Sequence, residues 1–136
     1  MVRTGAELSQ VERAFLEHPP RVLARVATVG RDGMPHVVPC GWSFDPTRNV
    51  IVLGGRDVSA TSRFRHVLAS EKAAVVIDGL REGAGWSPWA VAVRGRAQAL
   101  VGPPAEIIVF LDEVRSWGLS DPQAASTGQD GSPDGG

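Results

Sequence analysis

Hydrophobic and polar residues alternate along much of the chain, which is the pattern of β-strands with one buried and one exposed face. The alternation is cleanest over Trp89–Leu100, where charged or amide side chains separate small or apolar ones. Other short apolar stretches end at residues that favour turns, so they predict further strands. These strands are expected at Arg21–Val29, Pro35–Phe44, Val50–Leu53 and Lys72–Ile77, and within Glu106–Trp117 at the apolar segment Ile107–Phe110.

Two of the predicted strands have unusual apolar patterns. Lys72–Ile77 is nearly continuously apolar, and such a run predicts a strand that is buried on both faces. Ile107–Phe110, in the last segment, also predicts a strand. Together with Leu111 and Val114, however, it fits the apolar stripe of a helix equally well.

Two stretches have a helical period. Glu7–Glu17 carries apolar residues three and four positions apart, and a proline pair follows it. Ser62–Ala69 predicts a second short helix, and Gly30–Gly33 has the composition of a hairpin turn between the first two strands. Five to six strands with one inserted helix indicate a mainly β fold, a small antiparallel barrel.

Size and charge limit the possible functions. The 136 residues suit one domain, which we expect to span residues 1–120, and the composition of residues 121–136, rich in Gly, Ser and Asp, predicts a disordered tail. The formal net charge of -1 gives no general attraction to nucleic acid. No segment has the ~20 apolar residues that a membrane-spanning helix needs, and a single cysteine favours an intracellular, cytoplasmic protein.

The most informative segment for chemistry is Leu53–Arg65, which leaves a predicted strand and enters a predicted helix. Its glycine pair lets a ligand approach the backbone, its hydroxyls can donate hydrogen bonds, and helix-start N–H groups favour anions. Its arginines add positive charge. The segment predicts a phosphate-binding corner, although an ordinary N-capped helix with solvated arginines explains it too. The residues concerned are Gly54, Gly55, Arg56, Ser59, Thr61, Ser62, Arg63 and Arg65.

Side chains for acid, base, nucleophilic or metal chemistry form no recognisable pattern. His18, His36 and His66 are scattered, and no metal-ligand spacing occurs. Cys40 lacks an accompanying base, so a packed or cleft-lining thiol is the better interpretation. We therefore assign no catalytic residue and no metal.

The order and spacing of five strings resemble the split β-barrel superfamily of pyridoxamine 5'-phosphate oxidase-like flavoproteins, and within it the actinobacterial deazaflavin branch. The resemblance extends from about Ser9 to Leu119. The strings are Arg25–Pro39, Arg63–Val67, Ala73–Asp78, Val91–Ala97 and Ser116–Leu119.

This resemblance implies a six-stranded antiparallel split β-barrel and a homodimer, with cofactor sites at the subunit interface. The cofactor would be the deazaflavin coenzyme F-420, with FMN as the alternative, and hydride would pass between it and a small conjugated organic molecule. A non-redox ligand-binding protein, or a biosynthetic enzyme that reuses the cleft, is the alternative function.

By position, the resemblance implies that Arg63 contacts the cofactor phosphate, with Thr61 and Ser62 beside it. The resemblance also implies that the ring of the cofactor would lie against the end of a strand, where a glycine pair would let it approach. The ring-facing residues would be Val38, Pro39, Cys40 and Gly41, with Gly54 and Gly55 leaving room.

The chain departs from the family pattern at two places. Relatives usually carry a lysine pair where Ser62 and Arg63 stand, so one positive charge is missing. Asp112 and Glu113 lie where a basic residue and a proline are usual. Both departures bear on phosphate affinity and cofactor choice.

Overall fold

The computed structural model describes residues 2–4, 7–83 and 85–119. Nine strands and two α-helices make up this part of the chain, with a 3-10 turn at Val58–Ala60. The helices are α1 (Gln10–Glu17) and α2 (Ser62–Ser70). The strands are β1 (Val2–Thr4), β2 (Ala24–Val29), β3 (Pro35–Cys40), β4 (Trp42–Asp45), β5 (Val50–Leu53), β6 (Lys72–Leu80), β7 (Pro88–Leu100), β8 (Glu106–Phe110) and β9 (Glu113–Trp117).

Antiparallel pairing joins the strands into one curled sheet with the order β3-β2-β6-β7-β8-β5-β4, and β9 pairs with both β7 and β1. β7 is the longest strand because it serves two halves of the sheet. Ala90–Arg94 pairs with β9, whereas Ala97–Leu100 pairs with β8. The two ends of the strand order, β3 and β4, are consecutive in the chain, so the sheet curls into an open, split barrel.

The expected antiparallel barrel is thus confirmed, but the expected count of six strands is wrong. Pro35–Phe44 breaks at Gly41, because β3 pairs with β2 whereas β4 pairs with β5. Glu106–Trp117 is extended throughout rather than helical, and it breaks before Asp112. There the carboxylate of Asp112 accepts the backbone N–H of Arg96 at 2.8 Å and replaces a ladder carbonyl. β1 had no counterpart in the sequence prediction.

Strand β6 differs from its predicted burial and length. Only Ala73, Val75 and Ile77 are buried, and the alternate side chains Ala74 and Val76 are partly exposed. The strand also continues to Leu80, which shortens the loop that was expected over Asp78–Pro88. One face of β6 therefore lies in the barrel core and the other belongs to an open sheet face.

The two helices form where the sequence places them, and side-chain caps define their starts. Helix α1 begins three residues later than Glu7, because Ser9 and Glu12 exchange side-chain and backbone hydrogen bonds of 2.9 and 3.1 Å. Glu12 is buried and accepts a 2.5 Å bond from the Ser116 hydroxyl, which attaches α1 to β9. Helix α2 packs against β2 and β7, beside the core.

The predicted disordered tail at 121–136 lies outside the described residues. Within the residues that are described, no helix is long and apolar enough to span a bilayer.

Candidate functional site

The structure brings three of the predicted site residues together at the bend between β3 and β4. Cys40, the last residue of β3, is buried, and its thiol lies close enough to the Arg63 guanidinium for their charges to interact. A Cβ built on Gly55 would lie 3.7 Å from Nη2 of Arg63. Strand, glycine loop and helix thus converge on one arginine.

Arg63 stands in the first turn of α2, and its side chain is mostly buried. Its Nε is enclosed and has no hydrogen-bond partner among the described residues. A buried guanidinium N–H without an acceptor is unfavourable by about 1–3 kcal/mol. Position and missing acceptor together make Arg63 the strongest candidate in this corner for holding an anion.

Gly55 keeps the loop backbone next to Arg63 accessible. Its φ of 127° lies in a region that side-chain-bearing residues rarely adopt. At Gly54, a Cβ would meet no other described atom within 4 Å. The glycine pair therefore leaves open space on the loop, and the approach of a ligand there stays a prediction.

The hydroxyls of Thr61 and Ser62 already have partners within the protein. Thr61 caps α2 by accepting the N–H of Phe64 at 3.2 Å, and it donates to the carbonyl of Val58 at 2.6 Å. Ser62 accepts a 3.0 Å bond from Arg65, which also donates to the carbonyl of Ala60 at 3.2 Å. The helix-cap interpretation thus describes Thr61 well, and cofactor contacts by either hydroxyl stay a prediction.

The four predicted ring-facing residues do not share a face of the strand. Val38 and Cys40 point toward the inside, whereas Pro39 and Gly41 are exposed on the opposite side. A single planar ligand could meet all four only through the backbone. The predicted contact between a cofactor ring and this segment would therefore involve its main-chain atoms more than its side chains.

The electrostatics at Cys40 favour an uncharged thiol. Burial raises the pKa of Cys40 above its ordinary value of 9.0, and the Arg63 guanidinium lowers it by a smaller amount. The thiol is therefore protonated near neutral pH and forms a weakly polar wall. This agrees with the sequence interpretation of Cys40 as a packed or cleft-lining thiol.

A histidine pair that sequence reasoning left unconnected lies on the inward side of β3. His66, one helical turn after Arg63, shares a 2.9 Å hydrogen bond with the Thr28 hydroxyl, and its ring meets His36 edge to face at 5.3 Å. A Cβ on Gly30 would lie 2.8 Å from the His66 ring. Because Arg63 and His66 are three residues apart on a predicted helix, the sequence could have shown that they lie on the same side of it.

The acidic residues that depart from the family pattern are paired with arginines of β7. Asp112 forms 2.9 Å bonds with both Nε and Nη2 of Arg96, and Glu113 accepts a 2.9 Å bond from Arg94. Hydrogen bonds from Arg96 lower the pKa of Asp112 below its ordinary value. These contacts give both carboxylates a structural role at the β8–β9 bend.

The open face of the sheet, outside the barrel, is formed by small apolar side chains with ion pairs around them. Val37 on this face is 66% exposed. The flanking pairs are Arg25 with Asp78 at 3.5 Å and Arg94 with Glu113 at 2.9 Å. The apolar residues that line a depression of about 360 Å³ here include Ala27, Val37, Ala74, Val76 and Ala92.

The chain is similar in sequence to a characterised protein. No family profile matches the chain. It is 38% identical over 76 residues to a 5a,11a-dehydrotetracycline/5a,11a-dehydrooxytetracycline reductase of Streptomyces rimosus; the match covers 56% of this chain and 54% of the reductase. The chain therefore matches about half the length of that curated relative.

Two solved structures have the same fold at low sequence identity. A conserved hypothetical protein of Mycobacterium tuberculosis superposes with a TM-score of 0.64 at 14% identity, covering 82% of this chain and 86% of its own. A FAD-binding protein of Mesorhizobium loti gives 0.60 at 18% identity, covering 85% and 96%. The chain has the split β-barrel fold that these two structures share.

Proposed function

We propose that this protein is a cofactor-dependent oxidoreductase that transfers hydride between coenzyme F-420, or FMN, and a small conjugated organic molecule. The observation that carries the proposal is the enclosed Nε of Arg63, which has no acceptor among the described residues. A cofactor phosphate would provide that acceptor through a charge-assisted hydrogen bond. The start of α2 adds further attraction for an anion.

The residues around Arg63 fit a phosphate-bearing ring cofactor. Gly54 and Gly55 leave the loop backbone open, and the main chain of Val38–Gly41 offers an extended surface on which a ring could rest. Because the Cys40 thiol is held in its neutral form, it would adjoin the ring without adding charge. The protein's part would be to anchor, align and exclude water.

The chemistry itself would come from the cofactor, which supplies or accepts hydride when bound. No acid, base or nucleophile is then required of the chain, in agreement with the sequence, from which we assigned no catalytic residue. Two comparisons support a redox role: one relative is named as a reductase, and one structural neighbour is named as FAD-binding.

We further propose that the protein acts as a homodimer whose open sheet faces meet. Because the side chains on this face are mostly Ala and Val, which are small, the sheet of a second copy could pack closely against it. The exposed Val37, on the edge strand β3, would leave water on dimerisation, and the ion pairs beside this face would form a polar rim. The family resemblance implies a homodimer with cofactor sites at the subunit interface, and the meeting of the open sheet faces is our proposal for its geometry.

A second candidate is a ligand-binding protein without redox turnover, or a biosynthetic enzyme that uses the same cleft. The observation that favours it is the engagement of Thr61 and Ser62 in bonds within the protein, which leaves Arg63 with less support toward a phosphate. In that case the corner around Arg63 would bind phosphate only weakly, and its natural ligand would be a different molecule.

One titration separates the candidates. The purified protein is titrated with F-420 and with FMN, and oxidation of the bound reduced cofactor is then followed with quinone and enone acceptors. The redox proposal predicts micromolar binding of at least one cofactor and turnover with an acceptor. Binding without turnover would favour the second candidate, and no binding of either cofactor would remove the first.

A further inference from the structure

A buried hydroxyl on β2 attaches helix α2 to the sheet. Thr28 is 4% exposed, and together with Glu12 it makes up the buried polar side chains of the described residues. Its Oγ1 lies 2.9 Å from Nδ1 of His66, in the middle of α2. A buried hydroxyl is unfavourable unless it has a hydrogen-bond partner, so this bond favours one position of α2 on β2.

The His66 ring also occupies a notch in the backbone at the end of β2. A Cβ placed on Gly30 would lie 2.8 Å from Cδ2 of His66 and 3.0 Å from its Nε2. An alanine there would have to displace the imidazole, so glycine lets the helix lie this close to the strand. On β3, the His36 ring meets His66 edge to face, with 5.3 Å between the ring centroids. The imidazole is therefore contacted from β2, from the residue after β2 and from β3.

Arg63 lies on the same side of α2 as His66, because residues three apart on a helix are neighbours. A movement of α2 that broke the bond to Thr28 would therefore also move Arg63. The surroundings of Arg63 are close: its charge acts on the Cys40 thiol, and its Nη2 would lie 3.7 Å from a Cβ on Gly55. The direction of the guanidinium thus depends on how α2 is rotated on the sheet.

Other contacts of α2 define this rotation less well. The buried Phe64 packs in the core, but apolar contact has no preferred direction. Just beyond the C-terminal end of the helix, the N–H of Ala97 donates a 2.9 Å bond to the carbonyl of Glu71. This backbone bond holds one end of α2 to β7. The bond between Thr28 and His66 adds a second directional attachment, closer to the start of the helix.

From these contacts we infer that His66 is a positioning residue, whose hydrogen bond with Thr28 fixes the rotation of α2 and directs the Arg63 guanidinium into the corner beside Gly55. His66 acts through Arg63 and contacts neither cofactor nor substrate. A guanidinium that is already oriented loses less conformational entropy when it binds an anion, so its affinity is higher. The inference rests on the proposed function, which it deepens by naming the residues that orient the proposed phosphate contact.

The first test observes Arg63 directly and uses the protein without cofactor. The enclosed Nε–H of Arg63 should give a signal in nitrogen-proton correlation spectra that exchanges slowly with water, assigned by its loss in Arg63→Ala. Thr28→Val keeps the branched shape without the hydroxyl and should speed this exchange by about threefold or more, because α2 opens locally more often. His66→Phe should have the same effect. Thr28→Ser keeps a hydroxyl and should restore slow exchange.

A matched core variant separates positioning from a general loss of stability. Ile77 is fully buried and pairs with Ala24, at the opposite end of β2 from Thr28. Ile77→Val removes one buried methylene, and urea unfolding should show it to be destabilised, as Thr28→Val is. The exchange of the Arg63 Nε–H should nevertheless stay within about 1.5-fold of that in the unmodified protein, because the helix keeps its attachment.

A double-variant cycle then relates the bond to cofactor binding. Thr28→Val should raise the Kd of F-420 or FMN about fivefold or more, and this effect should fall below about twofold when Arg63 is already replaced by Ala. Ile77→Val should leave the Kd unchanged.

Three results would overturn the inference. They are a rapidly exchanging Arg63 Nε–H in the unmodified protein, equal exchange in Thr28→Val and Ile77→Val, and an effect of Thr28→Val on the Kd that is the same with and without Arg63. Failure of both F-420 and FMN to bind the unmodified protein would contradict the proposed function separately, since the exchange measurement needs no cofactor.

Discussion

At the scale of single residues, Arg63 and Arg65 differ in their surroundings although both lie at the start of α2. Arg65 is exposed and donates to Ala60 and Ser62, whereas Arg63 is enclosed beside Cys40 with its Nε unpaired among the described residues. Of these two side chains, Arg63 is the one with an enclosed nitrogen that has no acceptor among the described residues. The bonds of Arg65 give it a structural role at the start of α2, and the phosphate contact of Arg63 stays a prediction.

Replacing Arg63 tests its proposed contact with the cofactor. Arg63→Ala should weaken cofactor binding by about 1.5–3 kcal/mol, since hydrogen bonds to charged groups contribute that much. This is roughly a 10- to 150-fold increase in Kd, measured by isothermal titration or fluorescence. Arg65→Ala is the matched control and should change the Kd by less than about twofold. Equal losses in both variants would contradict a specific role for Arg63.

Asp112 gives a prediction about pH. Hydrogen bonds from Arg96 lower the pKa of Asp112 below the value of 3.8 expected in the unfolded chain, so the carboxylate stabilises the fold above that pH. This stabilisation is lost as the pH falls through the lower, folded-state pKa. Urea unfolding should therefore show Asp112→Asn less stable than the unmodified protein at pH 7, with the difference shrinking below about pH 4. A difference that does not change with pH would contradict the Arg96–Asp112 pairing.

At the scale of elements, caps and bends decide where helices and strands end. Ser9 starts α1 and Thr61 starts α2 through side-chain bonds to backbone N–H groups. At Gly41 the chain exchanges β2 for β5 as its neighbouring strand. Across Asp112 it keeps β7 as a neighbour and exchanges β5 for β1. The helix caps can be predicted from the sequence because they depend on residues nearby in the chain. The strand breaks cannot, because they depend on pairing with strands that are far away in the sequence.

The cap of α2 can be tested directly. Thr61→Ala removes both the acceptor for the Phe64 N–H and the bond to Val58, and it should lower the free energy of unfolding by about 0.5–2 kcal/mol. Thr61→Ser keeps a hydroxyl and should recover most of the loss. Urea denaturation measures both, with Ser59→Ala as an exposed control that should stay within about 0.5 kcal/mol. If Thr61→Ala proves neutral, the hydroxyl does not cap the helix in solution.

At the scale of the whole molecule, the curled sheet has one face in the core and another that is open. Alternate residues of β6 divide between them, since Val75 is buried while Val76 is partly exposed. The open face carries small apolar side chains bordered by ion pairs. In the proposed dimer a second copy would cover this face, and the family resemblance implies that the cofactor sites would lie at the interface.

Two exposed valines test that assembly. Val37, on the open face, is 66% exposed and Val101, beyond the end of β7, is 75% exposed. Val37→Asp should weaken self-association at least tenfold, because burying an unpaired carboxylate is unfavourable by several kcal/mol. Val101→Asp should leave it unchanged. Sedimentation velocity across a concentration series measures both, and a monomeric unmodified protein would contradict the dimer.

Much of the fold follows from local pattern alone. The alternation in Trp89–Leu100, the hairpin turn at Gly30–Gly33 and the helix at Ser62 were each predicted from sequence, because side-chain period and turn chemistry are properties of neighbouring residues. The two-sided burial predicted for Lys72–Ile77 is not met within the single chain, where Ala74 and Val76 are partly exposed, although the proposed dimer would cover that face. An apolar stretch shows that the side chains on both faces of a strand are suited to burial. It does not show which of the two faces the rest of the molecule covers.

What the sequence determined by itself is the mainly β antiparallel architecture, both helices and most of the strand positions, because these depend on residue type and order. The contact of Arg63 with a phosphate stays a prediction. Only the tertiary structure decided that Cys40, Gly55 and Arg63 meet, that Thr61 and Ser62 are occupied, and that Asp112 pairs with Arg96. These outcomes need three-dimensional distances between segments far apart in sequence. Long-range packing sets those distances, and no local pattern encodes them.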